Sequence, residues 1–88
     1  MGNKYAVPLK AGVIRESCFR PAEQWEPPTG TELRYLLEDV LCLSQEGLAR
    51  YVGVTSRTVR RWVSGESPVA YSVWCVLCID AGLPPIWK

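Results

Sequence analysis

The chain has no histidine, a single methionine and a single phenylalanine among its 88 residues. The missing histidine removes the commonest general base, the commonest metal ligand and the usual pH switch. Ser-His-Asp and Cys-His catalytic arrangements are therefore excluded within the chain. No Gly-rich phosphate-binding motif is present either. The expectation is a protein that is not an enzyme and needs no cofactor. Long apolar runs are also missing. Residues 69–79 are the richest stretch, well short of the ~18 uninterrupted apolar residues of a membrane span. The N-terminus lacks the charged-then-apolar layout of a signal peptide, so a soluble, cytoplasmic protein is expected. Excess charge of one sign is absent too, the formal net charge being +1.

What is present is a chain of 48% apolar residues, enough for one packed core. A chain of this length buries a limited fraction of its surface and is often marginal alone, with oligomerisation as a common remedy. The charge is unevenly placed. Residues 45–64 carry Arg50, Arg57, Arg60 and Arg61 against Glu46, a local balance of +3, and the six basic and eight acidic residues elsewhere give −2. Phosphate contact depends on the local face rather than the chain total.

The pattern along the chain divides it into an arm at 1–28, a helical domain at 29–83 and an apolar tail at 84–88. The arm holds Gly2, Pro8, Gly12, Pro21 and the pair Pro27-Pro28, which break helices, together with Tyr5, Phe19 and Trp25. The runs 5–9 and 12–15 have an extended character. The arm's aromatics are costly in water, which lays it over the core. Thr29-Gly-Thr-Glu32 spells a capping box, and Leu33, Leu36, Leu37, Val40 and Leu41 form one helical stripe to about residue 41. Ser44 caps a second helix over 45–52. Gly53 fits the left-handed backbone that ends a helix, and Thr55 or Ser56 caps a third over 56–63. After the turn at 64–67, Pro68 suits the first position of a last helix over 68–81. That helix is apolar nearly all round and must be covered on both sides.

Two helices joined by a short Gly-containing turn, with arginines left for the outside of the second, fit the unit that places its second helix in the DNA major groove. Leu43-Ser44-Gln45-Glu46, Leu48-Ala49, Val52-Gly53-Val54-Thr55, Arg57-Thr58-Val59-Arg60-Arg61-Trp62 and Ser64-Gly65-Glu66 together resemble the Cro/C1-type, or xenobiotic-response-element, regulators. The resemblance covers roughly residues 31–82. Gly47 departs from the helix-favouring residue usual there. The resemblance implies an all-α, lambda-repressor-like helix-turn-helix bundle of about four helices, here with an extended N-terminal arm. It implies sequence-specific binding to double-stranded DNA as a homodimeric transcriptional repressor of phage, plasmid or integrative-element genes. On this reading Ser56, Arg57, Arg60 and Arg61 contact base edges, and Gln45, Thr55, Thr58 and Ser64 contact phosphates. The operator is expected to be an inverted repeat. Dimerisation is expected through Tyr71, Cys75, Val76 and Ile79 of the last helix and Ile86 and Trp87 of the tail. No ligand domain is visible, so no small-molecule ligand is expected.

Three further readings compete. The same fold serves in protein-interaction modules such as antitoxins or anti-host-defence factors. Trp62 is either a stacking platform for single strands or core, and its register beside Val59 favours core. Cys18, Cys42, Cys75 and Cys78 invite a zinc or redox reading, but Cys75-x-x-Cys78 lies in an apolar helical run and the other two are isolated. Buried, unliganded thiols are expected.

Overall fold

Thr29 starts the first helix as its capping box predicts. Its Oγ1 accepts from the Glu32 N–H at 3.2 Å, and the Glu32 carboxylate accepts from the Thr29 N–H at 2.7 Å. In the computed structural model, which describes residues 13–88, helix α1 runs as an α-helix over Gly30–Arg34 and continues as a π-helix over Tyr35–Val40. The Leu41 N–H bonds the Leu36 carbonyl at 2.9 Å, the i→i−5 pattern of a widened turn. Widening breaks the 3.6-residue register that the leucine stripe assumes. Leu33, Leu36 and Leu37 are accordingly core, whereas Val40 and Leu41 are only half-buried. The chain then turns through Cys42, a non-glycine residue with φ 53°.

Ser44 accepts from the Gly47 N–H at 2.9 Å and opens α2 (Gln45–Val52). Gly53, at φ 78°, closes it, and Thr55 caps α3 (Ser56–Ser64). The last helix, α4, spans Tyr71–Asp80 and so begins three residues later than Pro68 suggests. Residues 68–70 stay outside the helix because Val69 inserts into the core, with Ala70 at ψ 139°. Gly82, at φ 86°, ends the helical region, and the Leu83 N–H bonds the Cys78 carbonyl at 3.0 Å. The described residues form four helices and no strand.

The run 5–9 lies outside the described residues. Of the run 12–15, the described part bends at Val13–Ile14 rather than extending, because Ile14 turns into the core. Two 3₁₀ turns follow, Glu16–Phe19 and Ala22–Gln24. This segment covers one side of the all-round apolar α4. The Cys18 carbonyl accepts from the indole N–H groups of both Trp25 (2.9 Å) and Trp74 (2.7 Å). The Tyr71 hydroxyl donates to the Arg20 carbonyl at 2.9 Å. Trp25 meets Tyr71 edge-on at 4.9 Å, and Phe19 lies 6.0 Å from Trp74. Aromatic bodies thus pack while their polar tips find partners.

Three of the four thiols are buried, as expected, but Cys42 is exposed because it stands at the left-handed corner after α1. Burial pushes Cys18 up to about 11 and Cys78 up to about 12, and raises Cys75 as well. Among the described residues no cluster of His, Cys, Asp or Glu is placed to hold a metal ion, and no helix is long and apolar enough to cross a membrane.

Candidate nucleic-acid interface

The α2–turn–α3 unit is built from backbone economy. Both the Gly53 and Val54 N–H groups bond the Ala49 carbonyl, at 2.9 and 3.0 Å. Gly53 adopts the left-handed region without the steric cost a side chain would bring, and the chain reverses in three residues. Leu48, Ala49, Val59 and Trp62 are buried between the helices and the rest of the bundle. Trp62 is therefore core and unavailable as a stacking platform.

Opposite that apolar face, Arg57, Arg60, Arg61 and Ser64 fall at i, i+3, i+4 and i+7, one outward stripe along α3. They line an open depression of about 520 Å³ together with Glu66. Arg57 and Arg60 are exposed and have no carboxylate partner among the described residues, whereas Arg61 Nε lies 3.7 Å from Glu66 Oε2. The three arginines are thus unequal, a distinction that depends on the turn geometry after α3. Gly65, at φ 85°, folds Glu66 back so that its N–H bonds the Arg61 carbonyl at 2.9 Å.

The remaining expected contacts are scattered around this stripe. Ser56 is half-buried at the first position of α3, on the Val59 side rather than on the arginine line. Thr55 and Thr58 are tied to each other: the Thr55 Oγ1 accepts from the Thr58 N–H at 3.1 Å, and the two hydroxyls lie 3.0 Å apart. Ser64 closes the far end of the helix, donating to the Arg61 carbonyl at 3.1 Å. Gln45 is half-buried at the first position of α2.

A residue outside the expected set orients α3. A Cβ placed on Gly30 would lie 2.1 Å from the Val63 carbonyl oxygen, so the first turn of α1 packs directly on the backbone at the end of α3. The signal in the sequence is the glycine inside Thr29-Gly-Thr-Glu32, but nothing local says what it approaches. Glu32 adds a second function to its cap. Its carboxylate also accepts from the Arg15 N–H at 2.9 Å and from the Arg15 guanidinium at 3.0 Å. Burial pushes this carboxyl up, yet the hydrogen bonds from the Arg15 side chain and from the Thr29 and Arg15 N–H groups outweigh it and hold it at about 2.

The six residues expected at a dimer interface separate into two groups. Val76, Ile79 and Trp87 are exposed, at 43%, 42% and 47%. Cys75 and Ile86 are covered by their own chain, and Tyr71 is half-buried against Trp25.

No protein-family model matches the chain. It is similar to two curated proteins of Escherichia coli, each named transcriptional repressor protein KorC. One is 46% identical and the other 41%, in both cases over 78 residues that cover 85% of this chain and 91% of the relative. That similarity runs through nearly the whole of both chains, helical unit and preceding segment together, and the chain belongs to the family of the KorC transcriptional repressors.

Proposed function

We propose that this protein represses transcription by binding double-stranded DNA through a helix-turn-helix of the Cro/C1 type, with α3 in the major groove. The observation that carries the reading is the arginine stripe on α3, outward-facing and opposite the buried Val59 and Trp62. Arg57 and Arg60, free of carboxylate partners among the described residues, are assigned to base edges, where a bidentate pair with guanine O6 and N7 is the commonest specific contact. Arg61 would exchange Glu66 for a phosphate or base, and Ser56 stands at the end of the helix that enters the groove first. Gln45, at the N-terminal end of α2, is assigned to a phosphate. Thr55 serves first as the helix cap, Thr58 is tied to it and Ser64 to the Arg61 carbonyl, and all three contact phosphates with their remaining capacity.

The protein acts in the cytoplasm as a homodimer on an inverted repeat, with the two recognition helices about 34–36 Å apart. Val76, Ile79 and Trp87 supply the exposed apolar surface for pairing. Genes of phages, plasmids or integrative elements are the targets that the family resemblance suggests. Selection of duplexes from a random pool, followed by gel-shift titration, tests the assignment. Arg57→Ala and Arg60→Ala should each cost about 1–3 kcal/mol on the selected site and relax one base position. Near-wild-type affinity in the Arg57/Arg60/Arg61 triple alanine variant would refute this docking mode.

A further inference from the structure

The turn after α3 is built on one carbonyl. The Arg61 C=O accepts from the N–H groups of Glu66 at 2.9 Å and Ser67 at 3.3 Å, and from the Ser64 hydroxyl at 3.1 Å. Gly65, in the left-handed region, allows that convergence, and beyond the turn Val69 is buried in the core. The backbone of Glu66 is thus pinned on both sides and folded back upon Arg61. Its carboxylate follows, with Oε2 lying 3.7 Å from Arg61 Nε.

Stability does not account for this pair. Both side chains are exposed, and an exposed ion pair contributes little. Its position matters more. Of the residues that line the depression on α3, three are arginines and Glu66 is the only acid. Arginine carries donors and no acceptor, and it grips carboxylate and phosphate oxygens through the same N–H groups. A carboxylate set into a surface that meets a polyanion opposes the meeting twice, by repulsion and by occupying a donor. The turn nevertheless delivers it there.

We infer that Glu66 is an intramolecular competitor of the DNA backbone: it occupies the Arg61 guanidinium in the free protein, and a phosphate must displace it. This inference rests on the docking reading above and assigns Arg61 to phosphate rather than to a base edge. Arg61 lies in the second half of α3, near the end that follows Ser56 into the groove. The group already at its Nε is an anionic oxygen, as a phosphate would supply. Counting charges gives the size of the effect. When Arg61 of the wild type docks, one anion replaces another and counterion release gains nothing. Without Glu66 the same arginine neutralises one further phosphate, which steepens the slope of log K against log salt by about 0.9. That is about eightfold in affinity at about 0.1 M salt and about threefold at about 0.3 M. The pair therefore weakens binding to every duplex alike and leaves the choice of sequence to the base contacts.

The test is Glu66→Gln, which removes the charge at an exposed position and keeps the shape, with circular dichroism confirming the fold of each variant. Fluorescence-anisotropy titrations follow binding to a mixed-sequence duplex and to the duplex selected from the random pool, at several salt concentrations. The variant should bind both about eightfold more tightly at about 0.1 M salt, with a slope steeper by about 0.9. In an Arg61→Ala background the same substitution should gain less than about twofold, because nothing is left to compete for. A full gain in that background would mean general repulsion and overturn the inference. Unchanged affinity in Glu66→Gln, or a gain confined to the selected duplex, overturns it too. A wild type that binds neither duplex, or whose binding survives in the Arg57/Arg60/Arg61 triple alanine variant, overturns the docking reading instead.

Discussion

Glu32 is the residue whose removal should be felt most widely. Its carboxylate sits 7% exposed and accepts from the Arg15 guanidinium, the Arg15 N–H and the Thr29 N–H. The carboxyl titrates at about 2 in the folded protein against 4.5 ordinarily. Because the folded value is the lower one, the stabilisation is complete above about pH 4.5 and is lost as pH falls through about 2. A tenfold change in proton affinity is worth about 1.4 kcal/mol, so the group contributes about 3 kcal/mol at neutral pH. For a domain of this size the total is on the order of 5–15 kcal/mol. Glu32→Gln keeps the shape and one acceptor for the Thr29 N–H but removes the charge that Arg15 answers. Denaturant melts of both proteins at pH 7, 5, 4, 3 and 2.5 separate the effects. The variant should be about 3 kcal/mol less stable at pH 7, and the two curves should converge as pH falls below about 4. If wild type and Glu32→Gln lose stability in parallel down to about pH 2.5, or differ by less than about 0.5 kcal/mol at pH 7, the ion pair does not hold the segment as argued.

Other perturbations probe separate joints. Gly30→Ala should destabilise by about 3 kcal/mol or more, since the added methyl meets backbone at Val63 rather than a flexible side chain; a melting temperature within a degree of wild type would contradict the close approach. Cys42→Gly should raise stability by about 0.5–1 kcal/mol by relieving the left-handed backbone at φ 53°, as read by denaturant titration. At pH 8 a thiol reagent should modify Cys42 quickly and Cys18, Cys75 and Cys78 only on unfolding, because burial raises those three; stoichiometric fast labelling of more than one thiol per native chain would count against the packing.

Where the chemistry is local, the sequence is easy to read. Thr29, Ser44 and Thr55 each cap the helix that follows, and Gly53 takes the left-handed turn, because hydroxyl capping and glycine φ freedom depend only on neighbours. Val59 and Trp62 fall inside for the same reason of period. Features set by distant partners are not legible in this way. The π-helical widening after Arg34 has no composition signal, so Val40 and Leu41 continue the stripe on paper although they are half-buried. Arg15 is 17 residues from Glu32 and lies in a segment without periodicity. The last helix is apolar all round, so pattern alone cannot say which side its own chain covers. Cys75 and Ile86 belong to the covered side and Val76, Ile79 and Trp87 to the open one. Pro68 satisfies the rule for a helix start, but the burial of Val69 overrides it.

The segment before α1 and the arginine stripe are connected through a chain of short contacts. Arg15 holds the Glu32 carboxylate, Glu32 holds the Thr29 N–H, and Thr29 fixes the first turn of α1. The next residue, Gly30, lies against the Val63 carbonyl at the end of α3. On the proposed reading of α3, its side chains must arrive at base edges within a fraction of an ångström, and such precision comes from supporting residues that are themselves locked. Here the lock does not come from the helix-turn-helix alone. Its two helices bury Leu48, Ala49, Val59 and Trp62, which fixes them to each other but leaves their seating on the bundle to α1. The Arg15–Glu32 pair supplies that seating from outside the unit. The segment preceding the first helix is therefore part of the apparatus that positions α3, and loosening Glu32 should disturb the arginine stripe without touching any arginine.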